Sequence, residues 1–298
     1  MSLPIQSRAA LTINGELELV EVLAQGLGCN FAGEFEESPE MGEEYRSASA
    51  QLEVCSDNVG GIFTLTPWWG EAQALFAGQV AVLDGFLKDA AAIDLSLAEI
   101  IEGQASAIMT ARRRFRVIRG RLLKASAQVS AVRAAGQFTE AQVLESAAMR
   151  ESQTARTAVL GVLKAATELN TAQMTESAEV LGVLSDRVSE MSILTASRGV
   201  GISVDPAELR GLSSLLRECS TELKVPAFVG TRVMNMVWNT HPQGITDAFK
   251  RAVAASTEAR ATLLERIRAK LNACAANLNL LAAEYESSDE LAAAALGR

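Results

Sequence analysis

With 298 residues the chain can bury a sizeable core, and a net charge of −9 argues against general nucleic-acid binding. Hydrophobic residues make up 49% of it but aromatics only 5%, and just six prolines occur, which suits long helices packed closely through small side chains. His241 is the only histidine, and Cys29, Cys55, Cys219 and Cys274 are far apart, so a zinc site, which needs about four clustered ligands, is not expected. These four thiols are expected to be free and buried in a reducing compartment, although disulfides stay open. The opening MSLPIQSRAAL has no apolar core behind a basic region, so no ordinary signal peptide is expected, and export would need a dedicated machine.

Charge divides the chain. Residues 1–66 hold eleven acidic side chains against Arg8 and Arg46, so the whole net charge lies there and the remainder is balanced. The expected organisation is an acidic N-terminal segment, 1–66, followed by a long-helix bundle domain, 67–298. In the first segment Asn14-Gly15 lies between Leu11-Thr12-Ile13 and the alternating Glu16-Leu17-Glu18-Leu19, the favoured two-residue hairpin signal. A helix over Glu16–Gln25 competes, and the hairpin is preferred. Glycines at 26, 28 and 33 mark a loop. Ser38-Pro39 then opens a helix to about Asp57, with Met41, Tyr45, Leu52 and Val54 apolar and Gly60-Gly61 ending it.

Val59–Leu83 carries one charge, Glu71, and contains the helix-start signal Thr66-Pro67. Pro67, Glu71 and four glycines interrupt it, whereas a resting membrane span needs about 20 unbroken apolar residues. It is read as a buried helix start, with insertion after a conformational change left open. From Pro67 to about Ala135 the pattern is helical, with a break predicted near Asp94-Leu95-Ser96. Arg112, Arg113, Arg114, Arg116, Arg119, Arg121 and Lys124 place seven cations within 13 residues. That cluster is a solvated helix face, a complement to the acidic segment, or a nucleic-acid or phospholipid patch. The last is weakest, because Phe115 is the only aromatic there to stack on bases.

Gly136 marks a turn, and Thr139 with Glu140 restarts a helix to about Ser197. Val159-Leu160-Gly161-Val162-Leu163 recurs 21 residues later as Val180-Leu181-Gly182-Val183-Leu184. A three-four stripe runs through Leu160, Leu163, Thr167, Asn170, Met174, Ser177, Leu181, Leu184, Val188 and Met191, as in a coiled coil or long helical hairpin. Gly199 and Gly201 end that helix. A shorter one spans Pro206 to about Leu223, residues 225–244 read as a broken connection, and Ile245 to about Tyr285 is the last long helix. Phe249, Val253, Leu263, Ile267, Leu271, Leu278 and Leu281 are its inward positions. The predicted fold is mainly α, an elongated bundle of long antiparallel helices.

Nothing here converges on catalysis. Neither phosphate loop, GxxxxGK[ST] nor GxGxxG, occurs, His241 has no signalled nucleophile beside it, and paired carboxylates lack the Glu-x-x-His spacing of di-iron bundles. No enzyme activity and no cofactor are expected.

Trp68-Trp69-Gly70, followed by Ala72 and Phe76, resembles the Trp-X-Gly turn of small helical proteins exported by type VII secretion systems. Tyr285-Glu286-Ser287-Ser288-Asp289 is similar to the Tyr-x-x-x-Asp/Glu signal that such proteins carry after their last helix. This resemblance implies export, with Trp68, Gly70, Tyr285 and Asp289 as export residues. The chain would be cytoplasmic before export and secreted or part of an extracellular assembly afterwards. Residues 150–290 also resemble the coiled-coil core of flagellins, through Leu184–Met191, Ala227-Phe228-Val229-Gly230-Thr231 and Arg268–Asn272. The function expected is a non-enzymatic assembly protein that partners itself or another helical protein. The alternatives are a membrane-active toxin inserting Val59–Leu83, or a structural component of a virion-like particle.

Overall fold

The computed structural model describes residues 42–62, 71–193, 205–223, 245 and 247–295. Five helices occupy them: α1 (Glu43–Gly61), α2 (Glu71–Ala134), α3 (Phe138–Glu190), α4 (Pro206–Glu222) and α5 (Asp247–Ala295). No strand occurs among the described residues, and the predicted hairpin at 10–22 lies outside them. The chain falls into two compact units. Among the described residues, one comprises 101–172, 245 and 247–251, and the other 42–62, 71–100, 173–193, 205–223 and 252–295. The predicted boundary at 66 and 67 lies outside the described residues.

Local signals explain the helix ends. After α2 the chain closes a tight cap in which the Gly136 N–H bonds Arg133 O at 2.9 Å and the Gln137 N–H bonds Val132 O at 3.1 Å. The cap needs a left-handed residue, and Gly136 supplies it at φ 81°, so α3 restarts at once. At α4, Pro206 opens the helix and Asp205 caps it, accepting the Ala207 N–H at 2.8 Å. The end of α3 is capped from another helix. Lys270 Nζ donates to Ser189 O at 3.1 Å and also to Met191 O, where a cation suits the negative helix terminus.

In the first unit, the second half of α2 and the first two thirds of α3 form an antiparallel hairpin. Arg133 meets Glu145, Arg121 meets Glu151, and Gln104 meets Thr167 and Asn170, in reverse order along the two helices. Ile108, Phe115, Ile118 and Leu122 of α2 are buried, as are Val159 and Leu163 of α3. Two polar positions of the stripe, Thr167 and Asn170, are inside as well, whereas Ser177 is half-buried. Gln104 Nε2 donates to Thr167 Oγ1 at 3.0 Å, Asn170 Nδ2 donates to Gln104 Oε1 at 2.9 Å, and the Thr167 hydroxyl donates to Leu163 O at 2.9 Å. A buried polar chain satisfied in this way holds one register, because a slipped one would leave these groups unpaired.

The second unit packs α1, the start of α2, the end of α3, α4 and most of α5. Here α2 runs antiparallel to α1, where the Ser49 hydroxyl donates to Ala91 O and Ser56 to Asp84, and antiparallel to α5. The α3–α5 pair is parallel, since Met174, Asp186, Ser189 and Met191 meet partners 79–82 residues further on. Leu52, Leu83, Leu87, Leu181, Leu216 and Ile267 are among its fully buried side chains. All the inward positions predicted for α5 are buried, from Phe249 to Leu281.

Four expectations need correction. No break interrupts α2 near Asp94, because that carboxylate does not compete for backbone groups; it is engaged by Arg260 of α5. Val54 is 58% exposed, on the opposite side of α1 from Leu52 and Cys55. Helix α3 stops at Glu190, where Lys270 takes its terminal carbonyls, and α5 continues beyond Tyr285 to Ala295.

Candidate functional site

The expected export residues fall in two places. Trp68, Trp69 and Gly70 lie outside the described residues, whereas Tyr285 and Asp289 stand near the end of α5 in the second unit. There α4 lies antiparallel on α5. The Ser220 and Ser213 hydroxyls donate to Arg268 O and Ala275 O, and Arg210 grips Glu286 with both guanidinium nitrogens, Nη2 to Oε2 at 2.6 Å. The fork geometry of arginine matches both carboxylate oxygens. Hydrogen bonding by Arg210 holds Glu286 below the usual carboxylate range, and Glu286 in turn raises Arg210.

Tyr285 and Asp289 are one turn apart, so they are neighbours along the helix surface. Tyr285 is 8% exposed and belongs to the packed face, whereas Asp289 is exposed. The motif therefore sits within the helix and not after it, as the sequence had suggested. Its phenol is largely covered and its carboxylate is available.

The basic stretch belongs to the first unit. Arg112 is buried, and Arg113, Arg114, Arg116, Arg119, Arg121 and Lys124 are exposed above a buried row of Phe115, Ile118 and Leu122. At about 100° per residue the six outward cations spread around the solvent side and do not line up in one stripe. Arg121 already reaches Glu151 of α3 at 3.4 Å.

Sequence reasoning missed the most buried charges. Asp94 and Arg260 are 0% and 1% exposed. Arg260 Nε donates to Asp94 Oδ1 and Nη2 to Oδ2, both at 2.6 Å. Burial pushes the Asp94 carboxyl up, against the opposing pull of the Arg260 hydrogen bonds and charge. Spacing carries the missing signal. Leu87, Ala90, Ala91, Asp94, Leu97 and Ile101 follow the three-four inward rhythm, as do Val253, Ser256, Arg260, Leu263 and Ile267.

Cys55, Cys219 and Cys274 are buried free thiols. Burial is the largest influence on each, pushing Cys55 up to about 12 and Cys219 and Cys274 up to about 11. They stay protonated near neutral pH, so they are poor nucleophiles and metal ligands there. Among the described residues no group of three or more His, Cys, Asp or Glu could hold a metal ion. No helix among them is long and apolar enough to cross a membrane. In the described part of Val59–Leu83, Ala72, Phe76, Val80 and Leu83 are buried, while Leu75 and Val82 are exposed. His241 lies outside the described residues.

A family model described as excreted virulence factor EspC, type VII ESX diderm, matches residues 201–298. That stretch holds α4, α5, Tyr285 and Asp289 and does not reach Trp68–Gly70. No curated protein and no solved structure matches the chain.

Proposed function

We propose that this chain is a non-enzymatic helical protein, exported by a type VII secretion machine, that works by associating with itself or with a helical protein partner. The match of residues 201–298 to a family of excreted type VII proteins carries the reading. Within it, Tyr285 and Asp289 form the export signal, presented on α5 while α4 braces the helix through Arg210 and Glu286. Trp68 and Gly70, outside the described residues, belong to the same export signal in this reading. Assembly then rests on charge, with the acidic segment 1–66 docking on the exposed cations between Arg113 and Lys124, where Arg112 supports the stretch from within.

Exposure decides which variant tests export. Tyr285→Ala removes a largely buried ring and alters folding as well as recognition, whereas Asp289→Asn changes one exposed group. In a strain with the matching secretion machine, Asp289→Asn is expected to abolish appearance in the medium, with helix content by circular dichroism unchanged. Tyr285→Phe, which keeps the packing, is expected to retain most secretion if the ring is the element recognised. Normal secretion of both Asp289→Asn and Tyr285→Ala would overturn the assignment of the signal.

A further inference from the structure

We propose that Cys55 and Cys219 are a latent disulfide pair that ties α1 to α4 when the protein meets oxidising surroundings. Both sit on the inward faces of helices that pack directly on each other in the second unit, at 2% and 4% exposure. The Cys55 thiol donates to Glu222 Oε2 at 3.6 Å, and Glu222 stands one turn beyond Cys219 on the same side of α4. Cys219 is also close enough to act electrostatically on Cys55. Cα atoms stand about 2.3 Å from a helix axis, so helices about 8–10 Å apart bring facing Cα atoms to roughly 3.5–5.5 Å. That overlaps the separation of about 4.4–6.8 Å that a disulfide spans. Cys274 faces another way, with its Sγ 4.0 Å from Gln79 Oε1 of α2.

The oxidant is a disulfide, R–S–S–R, of low-molecular-weight or protein origin. One cysteine thiolate attacks it, forming a mixed disulfide and releasing one R–S⁻. The second thiolate attacks the mixed disulfide at the cysteine sulfur and releases the other R–S⁻. The two protons lost by the cysteines convert both leaving groups to thiols, so Cys55 and Cys219 are oxidised and R–S–S–R is reduced. Burial keeps both thiols protonated in the closed core, so the reaction proceeds through opening of the α1–α4 contact. The pairing rests on the packing of the second unit; export supplies only the oxidising surroundings.

The test uses purified full-length protein, fully reduced or equilibrated with oxidised glutathione, then alkylated and digested without reduction. Mass spectrometry is expected to find a peptide linking Cys55 to Cys219 and an alkylated Cys274. The oxidised protein should unfold at higher urea than the reduced one, and dithiothreitol should reverse the shift. Cys219→Ser should lose both the linked peptide and the shift. If that variant does not fold, the wild-type linkage map decides alone. Full alkylation of Cys55 and Cys219 in the oxidised protein, or linkage of either to another cysteine, would overturn the proposal. No secretion machine takes part, so this result and the Asp289→Asn result fail independently.

Discussion

A carboxylate removed from water has to be neutralised or matched, and Asp94 is matched by the two-pronged contact with Arg260. Removing one partner leaves a buried charge alone, so Asp94→Ala or Arg260→Ala is expected to cost about 3–5 kcal/mol in urea unfolding. Replacing both, as in Asp94→Leu with Arg260→Met, should recover most of that loss, because such pairs contribute little net stability over well-packed apolar groups. A double variant as unstable as the singles would show that the pair does more than fill and neutralise the core. This pair also shows where reading the residues stopped short. Asp94-Leu95-Ser96 reads locally as a helix interruption, since aspartate and serine compete for backbone hydrogen bonds. Only a partner 166 residues away removes that competition. Val54 is apolar but lies outside the three-four rhythm set by Leu52 and Cys55, and that place on the helix puts it in solvent.

At the scale of elements, local chemistry was legible and distant chemistry was not. The Gly136 turn, the Pro206 start, and the three-four stripe with Thr167 and Asn170 at its centre are all set by neighbours within a turn or two. The end of α3 is different, because Lys270 of α5 takes its last carbonyls. Gly136 offers a direct check on the hairpin. Its positive φ disfavours a side chain even though a Cβ there would meet nothing within 4 Å. Gly136→Ala should therefore lower stability by about 1–2 kcal/mol through backbone strain alone. An unchanged urea midpoint would mean that the turn relaxes freely and does not hold the α2–α3 register.

For the molecule as a whole, helix content was readable because period and proline scarcity are properties of the entire chain. The candidate site was readable only in part. Tyr285-x-x-x-Asp289 falls inside the matched family stretch, but the burial of Tyr285 beside an exposed Asp289 is set by tertiary packing, which no short motif encodes. The proposed docking of residues 1–66 on the exposed cations is a charge argument, and it has a salt signature. Each exposed pair contributes only about 0–1 kcal/mol, yet several together set orientation and association rate. Raising salt from 0.1 M to 1 M shortens the screening length from about 10 Å to about 3 Å, so an assembly built on this contact should shrink. Wild-type protein is expected to sediment larger than a variant carrying Arg116→Glu, Arg119→Glu and Lys124→Glu, three exposed positions, at low salt, with the difference lost at high salt. Identical sizes in all four conditions would reduce the charge asymmetry to a solubility feature.

The late place of α5 in the chain, as partner to both α2 and α3, also dictates an order of events during synthesis. Arg133 and Glu145 are 12 residues apart and Gln104 and Asn170 are 66 apart, so the α2–α3 hairpin can zip while the chain is still leaving the ribosome. Asp94 must wait for Arg260, Gln79 for Cys274, and the last turn of α3 for Lys270. Contacts of such long separation form late and slowly. Until α5 emerges, the nascent protein carries an unmatched carboxylate and an uncovered apolar face on α2, the kind of surface that aggregates or is held by a chaperone.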